Sequence, residues 1–198
     1  MSSLPAPLPD RASLRRQLRA ARRALTPQAQ AMAARHLARR LARLPALKSA
    51  RRIALYWPMD GEIDPRPLRA RLPGATFYLP VLQAWPPATL RFARWTPGQR
   101  LACNRFGIPE PRGGACRGAR ALDAVVMPLT GFDARGNRLG MGGGFYDRTL
   151  AFARAGGRRP WRVGVAHACQ QVAVLPVAVW DVAPHLIVTD RATLRPQR

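Results

Sequence analysis

The segment LDAVVMPLTGFDARGNRLGMGGGFYDR, residues 122–148, decides the fold class. Its first six residues, Leu122 to Met127, are apolar but for Asp123 and are the kind of run that makes a central strand. A loop from Pro128 to Leu139 follows. Then comes Gly140 to Gly144, where four of five positions are glycine. Residues 145–155 (FYDRTLAFARA) are predicted to be helical. Strand, loop, glycine-rich turn and helix, in that order, belong to an α/β sheet. Glycine reaches positive φ and lets another molecule approach the main chain closely. Successive N–H groups in such a turn can cradle an anion, more so where a helix begins just after it. Asp147 is near enough in sequence to hold a metal ion beside that anion.

The flanking sequence repeats the strand-and-loop pattern. Ile53 to Trp57 is predicted to be a buried first strand, ended by Pro58, with Met59 to Asp64 as the loop beyond its C-terminal end. Ligands of open α/β sheets bind there. Three of the chain's ten acids, Asp60, Glu62 and Asp64, fall in that loop. Glu62 beside the flat wall of Trp57 suits a planar heterocycle with N–H donors; a solvated loop residue is the plainer alternative. Residues 65–72 are predicted to be a short helix. Further strands are predicted at 76–82, 90–95, 161–166 and 185–189, with Pro80 confining the first of these to a strand end or a sheet edge. Residues 104–111 are expected to be irregular, with Glu110 in a plain turn, and 113–118 a flexible loop.

Upstream, residues 11–24 form a predicted helix with Leu14, Leu18, Ala21 and Leu25 on one stripe. Arg11, Arg15, Arg19 and Arg22 form an adjacent stripe. Thr26 and Pro27 restart a helix as N-cap and first helical residue, with Ala33, Leu37, Leu41 and Leu44 on its buried face and Pro45 closing it. No acid occurs between Arg11 and Met59. Such a helical hairpin either lies across a phosphate-bearing ligand or packs on the sheet with its arginines outward.

A chain of 198 residues with 47% hydrophobic content supports one domain with a full core. The expected division is a Pro-rich disordered tail over 1–10 and a single domain over 11–198. The N-terminus lacks a signal-peptide pattern, and no apolar run reaches the ~18 residues of a membrane span. Three cysteines with no C-x-x-C fit a cytoplasmic protein and not a zinc ribbon. The net charge of +23 suggests nucleic acid. Of the 33 basic residues only Lys48 is lysine, which suggests compositional drift, and the Arg stripe lacks interleaved aromatics for base stacking. An RNA-binding module using the Arg-rich helices remains the rival to an enzyme of anionic substrates. The glycine loop matches neither G-x-x-x-x-G-K-[ST] nor G-x-G-x-x-G. No nucleophile motif is present, and His36, His167 and His185 are isolated. From the residues alone, the chain is an α/β protein binding an anionic ligand such as a nucleotide with Mg²⁺.

Residues 136–148 (GNRLGMGGGFYDR) also carry a family resemblance, supported by Arg11, Leu14 and Arg15, by Gly61, Glu62, Ile63 and Asp64, by 106–111 (FGIPEP) and by Trp180 and Asp181. In this order the motifs resemble the 5-formyltetrahydrofolate cyclo-ligase family, over about Arg11 to Asp190. The resemblance implies a three-layer α/β/α sandwich with a central, mostly parallel sheet. It implies ATP-dependent conversion of 5-formyltetrahydrofolate to 5,10-methenyltetrahydrofolate by a monomer. It implies that Arg11, Leu14, Arg15, Arg138, Leu139, Gly140, Met141, Gly142, Gly143, Gly144, Phe145 and Tyr146 contact ATP. Met141 to Phe145 would also face the folate, with Trp57 and Glu62 on its other side, and Asp147 and Asp181 would bind Mg²⁺. Some members carry Lys within the glycine motif, where this chain has Gly143 or a neighbour; Arg138 or Arg148 would then carry that charge. The first N-terminal position is often Lys and is Arg11 here; a register using Arg15 and Arg19 is the alternative.

Overall fold

The computed structural model describes residues 10–84, 88–155 and 159–196. The expected tail over 1–10 lies outside these residues except for Asp10. An eight-stranded sheet runs in the order Thr193–Leu194, Leu186–Val188, Trp161–Val165, Ala124–Pro128, Arg52–Ala54, Thr76–Leu82, Leu90–Trp95, Cys116–Arg117. The five strands from Leu186–Val188 to Thr76–Leu82 are parallel, and the outer three pair antiparallel.

The Ala124–Pro128 strand is central, as its unbroken apolar run predicts. Its side chains alternate between two cores. Ala124 and Val126 face a cluster with Leu37 and Leu41 of helix α2 (Pro27–Arg43), while Val125 and Met127 face one with Phe92, Leu122 and Leu150. A strand that feeds apolar residues to both faces must be covered on both, which gives the three layers. Helix α2 begins as expected, with Thr26 Oγ1 accepting from Ala29 N at 3.2 Å and Pro27 following. Pro45 opens a further short helix, Pro45–Lys48.

Helix α1 (Arg11–Arg23) is capped by Asp10, whose carboxylate accepts from Ala12 N and Ser13 N. It does not form a hairpin on the large sheet. Leu14 and Leu18 instead pack with Leu139 and Leu175, against a separate three-stranded sheet of Gln171–Val172, Gly131–Asp133 and Arg138–Leu139. Gly131 makes this approach possible: a Cβ there would stand 2.4 Å from Leu18 Cδ1. The strand that leads towards the glycine loop is thereby fastened to α1.

Three expectations need correction. Pro80 lies inside the sheet, opposite Phe92 of the Leu90–Trp95 strand. The Arg52–Ala54 strand on its other side has its last registered pair at Tyr78, so the missing proline N–H breaks no ladder. Residues 109–111 pair antiparallel with 101–103, and Cys116–Arg117 joins the sheet edge; strands of two or three residues are too short to show a period. Glu110 is a clamp and not a turn residue, accepting from Leu82 N at 3.0 Å and Asn104 Nδ2 at 2.6 Å.

Candidate active site

The loops at the C-terminal ends of the Arg52–Ala54 and Ala124–Pro128 strands converge with α1. The arginine stripe of α1 faces inward, and each member has a partner. Arg11 grips Asp181 with two nitrogens, at 2.7 and 3.1 Å. Arg15 Nε donates to Gly140 O at 2.9 Å. Arg19 Nε donates to Asp60 Oδ2 at 2.8 Å, and Arg22 donates to the Asp60 main-chain oxygen and Oδ2 at 2.8 and 2.9 Å. Arg23 also bonds Asp60. Burial would raise the Asp60 pKa, but the guanidiniums of Arg23, Arg19 and Arg22 overcome it and hold it down to about 2. One helix thus ties together the 60–62 loop, the glycine loop and the segment before Asp181. The expectation of outward arginines is overturned for the α1 stripe, whose guanidiniums are already bonded within the fold, and the RNA-binding rival loses that stripe.

The glycine loop is held open from both sides. Gly142 has φ +104°, and a Cβ there would meet the Arg15 guanidinium at 3.5 Å. Arg148 bonds Gly143 O on the far side and Ala88 O at 3.1 Å. Phe145 rests edge-on against Phe106, ring centroids 5.8 Å apart. Among the described residues, the N–H groups of Met141 to Gly144 donate to no protein acceptor. The expected long helix is absent: α-helix covers only Phe145–Thr149 and gives way to a 3₁₀ segment at 151–155. Thr149 is drawn aside, its Oγ1 accepting from Leu90 N at 2.8 Å. Positive charge around this loop therefore comes from arginines more than from a helix dipole.

Asp147 and Asp181 lie at one place. Asp147 Oδ1 accepts from Val182 N at 2.9 Å and from the buried Arg138, whose Nε also bonds Val182 O. Asp181 is the adjacent residue. Burial works to raise the Asp181 pKa, but Arg11 and the Ala178 N–H outweigh it and the carboxylate stays below its ordinary range. No cluster of three or more His, Cys, Asp or Glu forms among the described residues. Two carboxylates suit Mg²⁺, which takes one or two protein oxygens and completes its shell with water and phosphate. Asp147 Oδ2 accepts no hydrogen bond from the described residues, so a metal donor is at hand.

Glu62 is almost fully buried, its side chain 9% exposed. One oxygen accepts from Met59 N at 3.1 Å; the other lies 3.7 Å from Arg22 Nη1. Burial pushes its pKa up to about 7 against the pull of Arg22. Tyr146 Oη, buried and within electrostatic reach of Glu62, has no hydrogen-bond partner. Trp57 does not offer a bare wall: Arg66 stacks on it at 4.2 Å and Trp95 meets it edge-on. Leu14 and Leu139 are core residues, 3% and 0% exposed; their side chains support the site and do not face a ligand. Asp60, Arg22 and Arg66 were not singled out as ligand contacts from sequence. The acid-poor composition was the available signal, because Asp60 is one of few partners open to so many arginines.

The family model described as the 5-formyltetrahydrofolate cyclo-ligase family matches residues 8–190. The chain belongs to this family. It is 40% identical over 176 residues to the 5-formyltetrahydrofolate cyclo-ligase of Escherichia coli K12, covering 87% of this chain and 96% of that one. The enzyme of the same name from Haemophilus influenzae is 39% identical, with 87% and 93% covered. In structure, the chain resembles the 5,10-methenyltetrahydrofolate synthetase of Aquifex aeolicus, with TM-score 0.80, 28% identity and 95% and 93% coverage. The Mycoplasma pneumoniae synthetase shares the fold, with TM-score 0.72 and 23% identity over 92% and 99%. Cyclo-ligase family membership makes the chain an enzyme of the ligase class. No helix among the described residues is long and apolar enough to cross a membrane.

Proposed function

We propose that the protein uses ATP to cyclise 5-formyltetrahydrofolate to 5,10-methenyltetrahydrofolate, releasing ADP and phosphate. The observation that carries this reading is the junction at the glycine loop: unbonded amides, the Arg15 guanidinium, and the Arg138–Asp147 pair meet within one loop and its short helix.

A formamide oxygen is a poor leaving group. Transfer of the γ-phosphoryl group to it gives an N5 iminium phosphate and ADP. N10 then attacks the formyl carbon and loses its proton. The C–O bond breaks and the former formyl oxygen departs in phosphate. The attack is intramolecular, so the protein's task is to hold N10 near the carbon. Phosphoryl transfer asks for positioning and charge neutralisation more than for a side-chain nucleophile, consistent with the lack of any nucleophile motif.

In this reading the amides of Met141 to Gly144 and the guanidiniums of Arg11, Arg15 and Arg138 bind the triphosphate. Glu62 accepts hydrogen bonds from the pterin, and Trp57, already backed by Arg66, flanks it. Asp147 and Asp181 would hold Mg²⁺, which would neutralise charge on the phosphate oxygens. Arg11 and Arg138, bonded to these carboxylates, stand beside the phosphate position. The protein acts as a monomer, with residues 11–198 as its single catalytic domain.

Isotope tracing tests the chemistry. With ¹⁸O in the formyl group, the label is expected in the released phosphate, one atom per turnover. Label appearing in water would contradict phosphorylation of the formyl oxygen.

A further inference from the structure

Arg22 is the most deeply buried basic residue among those described, with a side chain 0% exposed. Burying a guanidinium is unfavourable by several kcal/mol unless its donors are met, so its contacts indicate what it is for. Nε and Nη2 serve Asp60. Nη2 also lies 3.9 Å from Met141 Sδ in the glycine loop. Nη1 has no hydrogen-bond partner and stands 3.7 Å from Glu62 Oε1. That separation is too long for a hydrogen bond and short enough for strong attraction in a buried place. One planar group therefore joins α1, the 60–62 loop and the glycine loop, and turns its last donors towards Glu62.

We propose that Arg22 is the positioning residue for Glu62: it draws the carboxylate to the edge of the substrate site and favours its charged form, which accepts from the N–H donors of the substrate's heterocycle. This rests on the cyclo-ligase reading of Glu62.

The surroundings leave Arg22 as the chief opponent of burial. The Met59 N–H bond comes next, Arg19, also on α1, assists more weakly, and Asp60 acts against them. Tyr56 and Tyr146 face the same space, and burial raises the pKa of each, so both stay neutral. Asp64 is paired with Arg66 at 2.8 Å. Behind the loop, His167 Nε2 lies 3.2 Å from Gly61 O; burial lowers its pKa and disfavours a second positive charge there. Asp60 is spent on Arg19, Arg22 and Arg23, so it locks the Arg22 fork without competing for Nη1.

The chain has only two glutamates, Glu62 and Glu110. Labelling the glutamate side-chain carboxyl with ¹³C therefore gives two resonances, assigned with Glu62→Gln. In the wild type one should titrate near neutrality. In Arg22→Met its midpoint should rise by about one pH unit or more, the scale of losing a nearby opposite charge. Arg22→Lys keeps a charge but cannot serve Asp60 and face Glu62 together, so it should shift less and guards against a misfolded Arg22→Met. In turnover, both variants should raise the folate KM, Arg22→Met by about 5-fold or more at pH 7, with the ATP KM within about 2-fold. In a Glu62→Gln background the same replacements should add little to the folate KM. An unmoved Glu62 resonance in folded variants would overturn the proposal, as would an equal KM effect with and without Glu62. Absence of wild-type turnover would overturn the cyclo-ligase reading instead, and the titration would still decide whether Arg22 favours the charged form of Glu62.

Discussion

The two ends of the parallel sheet use arginine in opposite ways. At the C-terminal end, Arg11, Arg19, Arg22, Arg23 and Arg138 each bond Asp60, Asp147 or Asp181, and Arg15 bonds the glycine loop. At the N-terminal end a groove of about 1130 Å³ is lined by Arg51, Arg52, Arg94, Arg117 and Arg159 with the single acid Asp123. Asp123 is already taken by the main-chain N–H groups of Arg51 and Arg52 and by the Arg159 side chain. The N-terminal groove is larger, and its arginines outnumber its acid. It is far larger than the hollow of about 270 Å³ beside Asp60, Glu62 and Arg66. Volume and charge excess alone would thus point away from the proposed site. What distinguishes the C-terminal end is that each arginine, by meeting a partner, fixes a loop. An excess of exposed charge draws anions weakly and loses its hold as salt rises; a partnered guanidinium orders the backbone that a substrate must meet.

The largest effect that would break this contrast comes at Asp147. Asp147→Ala should lower kcat by at least about 100-fold, the effect of losing a metal-holding carboxylate. It also strands the buried Arg138, and an unpaired buried charge destabilises by about 3–5 kcal/mol, so melting temperature should fall as well. Asp147→Asn keeps the side-chain shape and an acceptor for Arg138; kcat should still collapse while the melting loss shrinks. Wild-type kcat for Asp147→Asn at saturating Mg²⁺ would remove Asp147 from the metal site.

Next is Glu62. Glu62→Ala should raise the folate KM by about 10-fold or more and leave the ATP KM within about 2-fold. A raised ATP KM with folate unchanged would move Glu62 to the other ligand.

The pH dependence sharpens the same point. Glu62 has a folded pKa near 7, above its ordinary 4.5. The folded state therefore holds this proton more tightly than the unfolded chain. Its burial does not destabilise below about pH 4.5 and destabilises increasingly as pH rises from there to about 7. Asp60 runs the other way: its stabilisation is present above 3.8 and is lost as pH falls towards 2. For catalysis, kcat/KM for the folate should decline below about pH 7, and Glu62→Gln should flatten that limb. A limb unchanged in Glu62→Gln would assign it to another group.

Much of this was legible in the chain. The run at 124–127 predicted a central strand because residues buried on both faces leave no polar position. The glycine motif and the acid-rich 60–64 loop marked the two loops that α1 draws together. What the sequence withheld was pairing at a distance. Arg22 and Asp60 are 38 positions apart, and a helical stripe looks alike whether its arginines face water or acids. The small sheet under α1 was hidden for a related reason: Gln171–Val172 is a strand only because of a partner remote in sequence, and Arg138–Leu139, which pairs locally with 131–132, is too short to show a period. The helix after the glycine loop was overextended because its apolar pattern continues past Thr149, where a bond to Leu90 turns the chain.

The smallest effect belongs to the other end of the sheet. Replacing Arg94 and Arg117 together with Ala should leave kcat/KM for both substrates within about 2-fold at physiological salt, as expected for exposed charges far from the chemistry. A loss of 10-fold or more would erase the distinction between the two ends.

The central claim is tested most directly by mixing the protein with ATP, Mg²⁺ and 5-formyltetrahydrofolate and following the methenyl product by near-ultraviolet absorbance. The account predicts product only when all three are present, with one ADP and one phosphate formed for each methenyl group. No product from the complete mixture, or an equal rate without ATP, would contradict it.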